Sequence, residues 1–258
     1  MSNEKEELSL HTRVKIIKKI TGADTGERIE KEEQQLKDSK PDNKSDHSFG
    51  LEKIIQEKFS EDDAASEIDI INPDLWKLLK DHLGAYPYHI FRDAPTTLYS
   101  SYEAIIFSWD SLRRAMTQTA KDENEKRARE DLGLLLDILS GGSSGDATLE
   151  KYFKARDVSL HDKTVQFDNL WTFFSPGNLV YGKPFQGQDQ MFVVRDSLRA
   201  WPLCDDRVWK LDCWAYDWTG NGFQRSCFTV LFEKDEGPKP INTLPSFLSS
   251  NTLHTETL

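Results

Sequence analysis

The chain has 258 residues and a formal net charge of −11 at pH 7, and an acidic surface of this kind repels nucleic-acid phosphates and anionic membranes. We therefore expect neither nucleic acid nor a membrane as a partner, and no apolar run approaches the roughly 18 residues that a membrane-spanning helix needs. Hydrophobic residues make up 37% and charged residues 30%, against about 45–50% and about 25% in an average globular domain. Part of the chain is therefore expected to be disordered.

The cysteines indicate a reducing compartment. Cys204, Cys213 and Cys227 are an odd number, in a chain long enough to fold without disulfides. The residues after Met1 lack the apolar stretch that is typical of a signal peptide. We expect buried free thiols in an intracellular, cytoplasmic protein, and the sequence leaves a nuclear or organellar location open.

Residues 1–66 show only weak signs of regular structure. Residues 10–20 alternate weakly between apolar and polar side chains and end at a turn-forming glycine, which predicts a ragged hairpin. Residues 30–46 are charged and almost free of apolar side chains, so a largely disordered linker is expected there. All seven tryptophans lie between residues 67 and 248, which predicts one folded module there and a disordered tail at 249–258.

The first half of this module has helical periodicity. Residues 67–71 alternate like a short strand, and Asn72, Pro73 and Asp74 then supply a helix N-cap, a first-turn proline and a first-turn acid. Apolar residues recur every three or four positions, which predicts a helix over 74–83 that ends at an αL cap on Gly84. The same period predicts three further helices, at 102–112, 128–139 and 147–155.

The second half changes to the two-residue period of strands. Strand-like stretches at 179–181 and 191–194 precede two long ones at 208–218 and 223–232, and Asn221-Gly222 between the long ones is a strong hairpin signal. The core-facing residues of this hairpin are expected to be Trp209, Leu211, Cys213, Ala215, Phe228, Val230 and Phe232. The predicted fold is α+β, with a helical first half followed by a small antiparallel sheet or barrel-like second half.

Two glycine-containing motifs are the candidates for catalysis, and both are incomplete. Residues 177–183 have the spacing of a phosphate-binding loop that ends in Lys183, but Pro184 replaces the Mg²⁺-binding hydroxyl and the interior is strand-like. Residues 141–145 have the spacing of a nucleophile elbow around Ser143, but a helix is expected before them where an elbow needs a strand. We predict no catalytic or nucleotide-binding residue, and a cryptic hydrolase using Ser143 or Lys183 is the remote alternative.

Histidine and cysteine spacing gives no indication of a metal site. The six histidines are scattered along the chain, and no pair of them stands at zinc-ligand spacing with a pair of cysteines. We therefore expect neither a metal nor any other cofactor.

Aromatic residues are unusually dense on the first long strand. The two-residue period puts Trp214, Tyr216 and Trp218 together on the face opposite its predicted core face. Aromatic side chains with a polar edge are favoured at protein interfaces, so these three residues are the candidate partner-binding site. The alternative is that helices cover this face and its aromatic side chains only fill the core.

Several longer segments resemble one protein family. They are EIDIINPDLWKLLKDHLGAYP at 67–87, FSWDSL at 107–112, EDLGLLLDIL at 130–139, LWTFFSPGNLVYGKPFQGQDQMFVV at 170–194, LDCWAYDWTGNGF at 211–223 and EGPKPINTLP at 236–245. Together they resemble the amino-terminal region of fungal AAA-type ATPases, an uncharacterised domain that precedes the ATPase cassette. The resemblance implies a region that engages substrates, partners or neighbouring subunits of a ring and has no catalytic residues of its own.

The motor segments of that family are absent from this sequence. Because no Walker A, Walker B or sensor segment follows residue 248, we expect a truncated, split or stand-alone form, with an ATPase core as a possible partner in trans. The resulting hypothesis is a non-catalytic, partner-engaging or regulatory module that is not an enzyme. The alternative is a stand-alone protein-binding adaptor that uses the aromatic face of its sheet.

Overall fold

The structure is a computed structural model that describes residues 13–21, 28–32, 47–56, 65–84, 86–87, 90–142, 144, 146–185, 187–196, 208–234 and 236–248. The chain divides into two compact units, residues 1–154 and 155–258, where the sequence predicted one module over 67–248. Its fold class is α+β, as predicted. No helix in the described ranges is long and apolar enough to cross a membrane.

The first unit combines helices with a five-stranded sheet, of which the sequence predicted only an N-terminal hairpin and a short strand at 67–71. Its strands are β1 (Val14–Thr21), β2 (Arg28–Glu32), β3 (Phe49–Gln56), β4 (Ala65–Ile70) and β5 (Thr97–Tyr99). Its helices are α1 (Pro73–Leu83), α2 (Glu103–Phe107), α3 (Trp109–Met116), α4 (Glu123–Ser140) and α5 (Ala147–Asp162), and α5 continues past residue 154.

The core of the first unit begins before the predicted boundary at residue 67. The strand order is β2-β1-β3-β4-β5, with β1 and β3 parallel and the other neighbours antiparallel. Phe49 and Leu51 on the central strand β3 are fully buried. Strand β3 pairs with β1 on one side and with β4 on the other, and a local sequence pattern does not reveal partners that are distant in sequence. Residues 33–46 of the predicted linker and the predicted tail at 249–258 lie outside the described residues.

Helix α1 confirms the prediction made from its N-terminal residues. The Asn72 side-chain oxygen accepts hydrogen bonds from the N–H groups of Asp74 and Leu75, which would otherwise lack partners at the start of a helix. Its C-terminal end differs from the expectation, because Gly84 has φ −61° and is right-handed rather than αL. The α1 N–H groups are therefore capped as predicted, whereas the helix ends without a left-handed residue.

The helix predicted over 102–112 is interrupted at Ser108. The Ser108 N–H donates to the carbonyls of both Ala104 and Ile105, and its hydroxyl donates to the carbonyl of His82, so α2 ends there and α3 starts at Trp109. Apolar periodicity continues across the break, since Ile105, Trp109 and Leu112 are all buried. The pattern therefore predicted the buried face correctly but could not show the change of backbone direction.

The second unit contains a five-stranded sheet. The strands of this unit are β6 (Thr164–Val165), β7 (Leu179–Phe185), β8 (Gln188–Asp196), β9 (Val208–Trp218), β10 (Phe223–Glu233), β11 (Lys239–Pro240) and β12 (Ser246–Leu248). Strands β6 and β11 pair with each other in a separate two-stranded sheet. Two 3-10 helices, Phe167–Phe173 and Ile241–Thr243, lie between strands. The sheet has the order β10-β9-β8-β7-β12 and is antiparallel throughout, as predicted for the second half.

An aromatic cluster forms the centre of the second core. Trp209 and Phe232 are cross-strand partners with ring centroids 4.9 Å apart, and both rings lie 5.3 Å from that of Phe174, which follows the 3-10 helix Phe167–Phe173. Leu211 and Cys213 continue the same face and are fully buried. The predicted core face of the hairpin is therefore confirmed at five of its seven residues, whereas Ala215 and Phe228 are half-buried. We call it the inner face of the sheet.

Candidate protein-binding face

The hairpin of β9 and β10 brings aromatic side chains together on the face opposite this core. Its antiparallel register is continuous, and cross-strand partners in a sheet share a face. Trp214, Tyr216 and Trp218 from β9 therefore lie on the outer face with Phe223 and Arg225 from β10. We call these five residues the aromatic face.

The turn between the two strands sets this arrangement. The Thr219 N–H donates to the Gly222 carbonyl at 2.9 Å, and Gly220 has φ +96°, a left-handed conformation that glycine adopts without strain. The hairpin signal at Asn221-Gly222 is confirmed as the position of the turn, and Gly220 supplies its left-handed residue. The turn places Phe223 directly opposite Trp218.

Perpendicular ring contacts hold the aromatic face. Trp218 meets Phe223 at a centroid distance of 5.2 Å, and Trp214 meets Tyr216 at 5.3 Å, both edge to face. The Arg225 guanidinium carbon lies 4.1 Å from the centroid of Trp214. Such contacts each contribute on the order of 0.5–1 kcal/mol, so the rings are positioned before any partner arrives.

The aromatic face is open to solvent at the turn end. The exposed fractions are 57% for Trp218, 62% for Tyr216 and 74% for Phe223, whereas Trp214 is half-buried. Single exposed apolar side chains are common in proteins, but a contiguous group of large ones marks an interaction surface. Among the described residues, no helix covers the turn end of this face, so its exposed side chains are not part of a core.

The apolar surface continues onto the neighbouring strands. Val193 on β8 is the cross-strand partner of Trp214, and Leu179 on β7 is the partner of Val193. Leu179 and Met191 are each 48% exposed. The outer face therefore offers apolar side chains on four adjacent strands.

Charged and polar groups border this surface and are paired. Thr229 donates a hydrogen bond of 2.7 Å to Asp212. Hydrogen bonds from Tyr181 and then Lys183 hold the pKa of Asp189 below its usual value, and the same carboxylate, 3.0 Å from the Lys183 ammonium, raises the pKa of that lysine. The border therefore carries positive and negative side chains that are held in place by their partners. Such a border suits a protein surface, which also carries both signs of charge, better than a partner that is negatively charged throughout.

The two incomplete catalytic motifs have structural explanations. Residues 179–185 form β7, so Lys183 lies on a strand and pairs with Asp189, and no loop-to-helix junction follows the glycine at 177. Helix α4 precedes Gly141, as the sequence predicted, whereas Ser143 lies outside the described residues.

One serine–histidine contact occurs in the first unit. His82 Nδ1 on α1 lies 2.8 Å from Ser111 Oγ on α3. A catalytic serine needs a base that a third group orients, and no carboxylate in the described part of the chain hydrogen-bonds to His82. Across the same residues, no three His, Cys, Asp or Glu side chains form a group that could hold a metal ion.

The two described thiols lie on opposite faces of the hairpin. Cys213 is the partner of Phe228 on the inner face and is buried, as expected. Cys227 is the partner of Trp214 on the outer face and is exposed, so the prediction of a buried thiol is wrong for it. The sequence contains this difference, because the four-residue turn places residue 227 opposite residue 214, and residues 213 and 214 point to opposite faces of the strand. Cys204 lies outside the described residues.

Phe223 is the member of the aromatic face that the sequence reading missed. It opens the second strand immediately after the turn, where its side chain had no assigned face. Counting back across the turn from Trp218 would have found it, since a four-residue connection makes residues 218 and 223 partners.

Comparison with known proteins places one match on the second unit. Residues 155–251 match the model of a domain of unknown function (DUF7025), and the match starts at the first residue of that unit. Neither a curated protein nor a solved structure matches the chain. The aromatic face lies entirely within the matched residues.

Proposed function

We propose that the protein is a non-catalytic module that engages a protein partner through the aromatic face of its second unit. The observation that carries this proposal is the pair Trp218 and Phe223, which are in ring contact and more than half exposed on a sheet whose other face is already a packed core.

The physical basis is the free energy released when large rings leave water. Burial contributes roughly 25 cal/mol per Å² of apolar surface, and aromatic and Arg side chains carry a disproportionate share of interface energy. Arg225 adds hydrogen-bond donors, because its guanidinium carries several N–H groups and can contact the Trp214 ring while others donate to a carboxylate or carbonyl of the partner.

The resemblance to the amino-terminal region of fungal AAA-type ATPases supports a narrower version of this proposal. In that version the face binds a substrate or regulator of an ATPase, or an ATPase core supplied in trans. The segments at 170–194 and 211–223 that carry the resemblance belong to the second unit. A stand-alone adaptor is the alternative, and the identity of the captured partner separates the two.

An intracellular site of action is part of the proposal. Buried Cys213 and exposed Cys227 are both free thiols, which is typical of proteins that work in a reducing compartment.

The experiment compares partner binding by matched variants. The face variant Tyr216→Ser, Trp218→Ser, Phe223→Ser removes three exposed apolar side chains, and the control Ile90→Ser, Val158→Ser, Leu160→Ser removes three exposed ones elsewhere. Proteins that co-purify with the tagged chain are identified, purified and titrated against each variant by calorimetry.

We expect a direct partner whose affinity falls at least about tenfold with the face variant and changes less than about twofold with the control. Circular dichroism establishes that both variants are folded. The proposal fails if every direct partner binds the face variant as tightly as the unaltered chain. An AAA-type ATPase among the partners would select the narrower version.

A further inference from the structure

Strand β10 is the open edge of the sheet in the second unit. It runs for 11 residues from Phe223 to Glu233, and its only strand neighbour in the described part of the chain is β9. Exposed edges are usually protected by lysine, proline, a bulge or short length. Strand β10 has no lysine or proline, pairs with β9 without a bulge and is long.

The turn determines which backbone groups face this edge. Because Thr219 N–H bonds to the Gly222 carbonyl, that pair is hydrogen-bonded, and bonded pairs alternate along an antiparallel ladder. Even-numbered residues of β10 therefore bond to β9. The odd-numbered residues from Phe223 to Glu233 direct their N–H and C=O groups to the open side, where a further strand can bond to them. The Glu233 end of this edge also lines a pocket with residues from 165–170 and 237–245.

We propose that the occupant of this edge is a second copy of the chain, with the two β10 strands antiparallel and Thr229 at the two-fold axis. In this register Arg225 of each copy faces Glu233 of the other, so the symmetry creates two opposite-charge pairs. Both residues are exposed in the single chain. A two-residue shift loses this match within the strand, because it places Arg225 opposite Leu231, or opposite residue 235 beyond the end of β10.

The inner face fits the same register. Phe228 of each copy stands opposite Val230 of the other, an aromatic and β-branched combination that stabilises cross-strand pairs. Phe228 is half-buried and Val230 is 9% exposed, so the second copy would cover apolar surface that the single chain leaves partly open. The direction of the backbone hydrogen-bonding groups, the two Arg225–Glu233 pairs and the Phe228–Val230 pairs are therefore all satisfied by the same alignment of the two strands.

The stacking of Arg225 on Trp214 is compatible with this pairing. A guanidinium has enough N–H groups to contact an aromatic ring and still donate to a carboxylate, so the contact 4.1 Å from the Trp214 centroid leaves Arg225 able to pair with Glu233 of the second copy. The two-fold axis is perpendicular to the sheet, so both aromatic faces would lie on the same side of a continuous ten-stranded sheet. The inference concerns the edge of the sheet; it shares Arg225 with the aromatic face and otherwise does not rest on the proposed function of that face.

Sedimentation velocity of the full chain tests the association, over about 1 to 200 µM since small interfaces give micromolar dissociation constants. We expect a monomer–dimer equilibrium. Arg225→Glu and Glu233→Arg each create two like-charge pairs and should weaken it at least about tenfold, and the double variant Arg225→Glu, Glu233→Arg should restore it. A monomer at all concentrations, or folded single variants that dimerise like the unaltered chain, would overturn the inference.

A disulfide reports the register directly. Cys227 of one copy faces Leu231 of the other, so Leu231→Cys should yield a covalent dimer on mild oxidation, and Leu231→Cys with Cys227→Ser should not, because two residues 231 lie far apart. Equal cross-linking with and without Cys227, or none under conditions where sedimentation shows a dimer, would exclude this alignment.

Discussion

Gly182 and Ser246 face each other across β7 and β12 at a separation that admits no side chain at residue 182. A Cβ on residue 182 would lie 2.5 Å from Ser246 Oγ and 2.8 Å from the Pro245 carbonyl oxygen. The glycine of the incomplete phosphate-loop motif therefore has a packing role, because it lets β12 approach the sheet.

Gly182→Ala should lower the free energy of unfolding by about 1–3 kcal/mol, the usual cost of an added group in a packed region. Gly222→Ala is the control, since no atom lies within 4 Å of its Cβ position and its φ is not positive. The control should be neutral or slightly stabilising. Urea denaturation of both variants measures the difference, and equal stabilities would show that β12 does not approach β7 this closely.

Trp214→Ala should destabilise the second unit more than Trp218→Ala does. Trp214 is half-buried and contacts both Tyr216 and Arg225, so its truncation should cost about 2 kcal/mol, less than the about 3–5 kcal/mol of a fully buried tryptophan. Trp218 is 57% exposed and should cost under about 1 kcal/mol. Thermal unfolding measures both. Unfolding by Trp218→Ala with tolerance of Trp214→Ala would reverse the inner and outer ends of the hairpin.

Arg13→Met should strongly destabilise the first unit. Arg13 lies 2.9 Å from Asp131, which is fully buried and whose other neighbour is the Asn72 amide at 3.3 Å. Removing the cation leaves a buried carboxylate without its charge partner, which costs about 3–5 kcal/mol. Lys80→Met is the control, because it breaks an ion pair with fully exposed Asp93 and should cost under about 1 kcal/mol.

The double variant Arg13→Met, Asp131→Leu isolates the charge effect. It should recover most of the stability lost by Arg13→Met, since it removes the unpaired carboxylate together with the cation. Chemical denaturation gives all four values. If Arg13→Met costs no more than Lys80→Met, the buried ion pair does not form.

Cys227 should react with alkylating reagents much faster than Cys213. Burial, and secondarily the nearby Asp212 charge, raises the pKa of the Cys213 thiol to about 12, so almost no thiolate is present at pH 8. Iodoacetamide labelling with peptide mass spectrometry should modify Cys227 in the folded protein and Cys213 only after unfolding. Similar labelling rates in the native state would place Cys213 outside the core.

The same thiol predicts a loss of stability at high pH. A raised pKa means that the folded state keeps a proton that the unfolded state releases near pH 9. The stability that the protonated Cys213 thiol gives to the folded state is therefore complete below pH 9 and is lost as the pH rises toward 12. Cys213→Ala should reduce this alkaline dependence, which denaturation at pH 8 and pH 10 can measure.

Local patterns predicted the elements whose stabilising contacts are close in sequence. The cap at Asn72, the apolar stripes of α1 and α4 and the turn of the β9–β10 hairpin depend on residues a few positions apart. Strand β3 was missed because its neighbours β1 and β4 supply its pairing, and the parallel bond to β1 has no turn signal. A fragment starting at residue 67 would therefore lack β3 and Arg13.

The sequence by itself determined that Trp214, Tyr216 and Trp218 share one face, because the two-residue period of a strand is a property of the backbone alone. The composition of the two faces also predicted which of them is buried, but only the tertiary structure decided how far each side chain is covered. Phe174 packs against Trp209 and Phe232 and makes theirs the inner face, while the turn at Gly220 brings exposed Phe223 to Trp218. The degree of burial of a strand residue depends on which distant segment packs against its face, and the spacing of residues along the strand does not identify that segment.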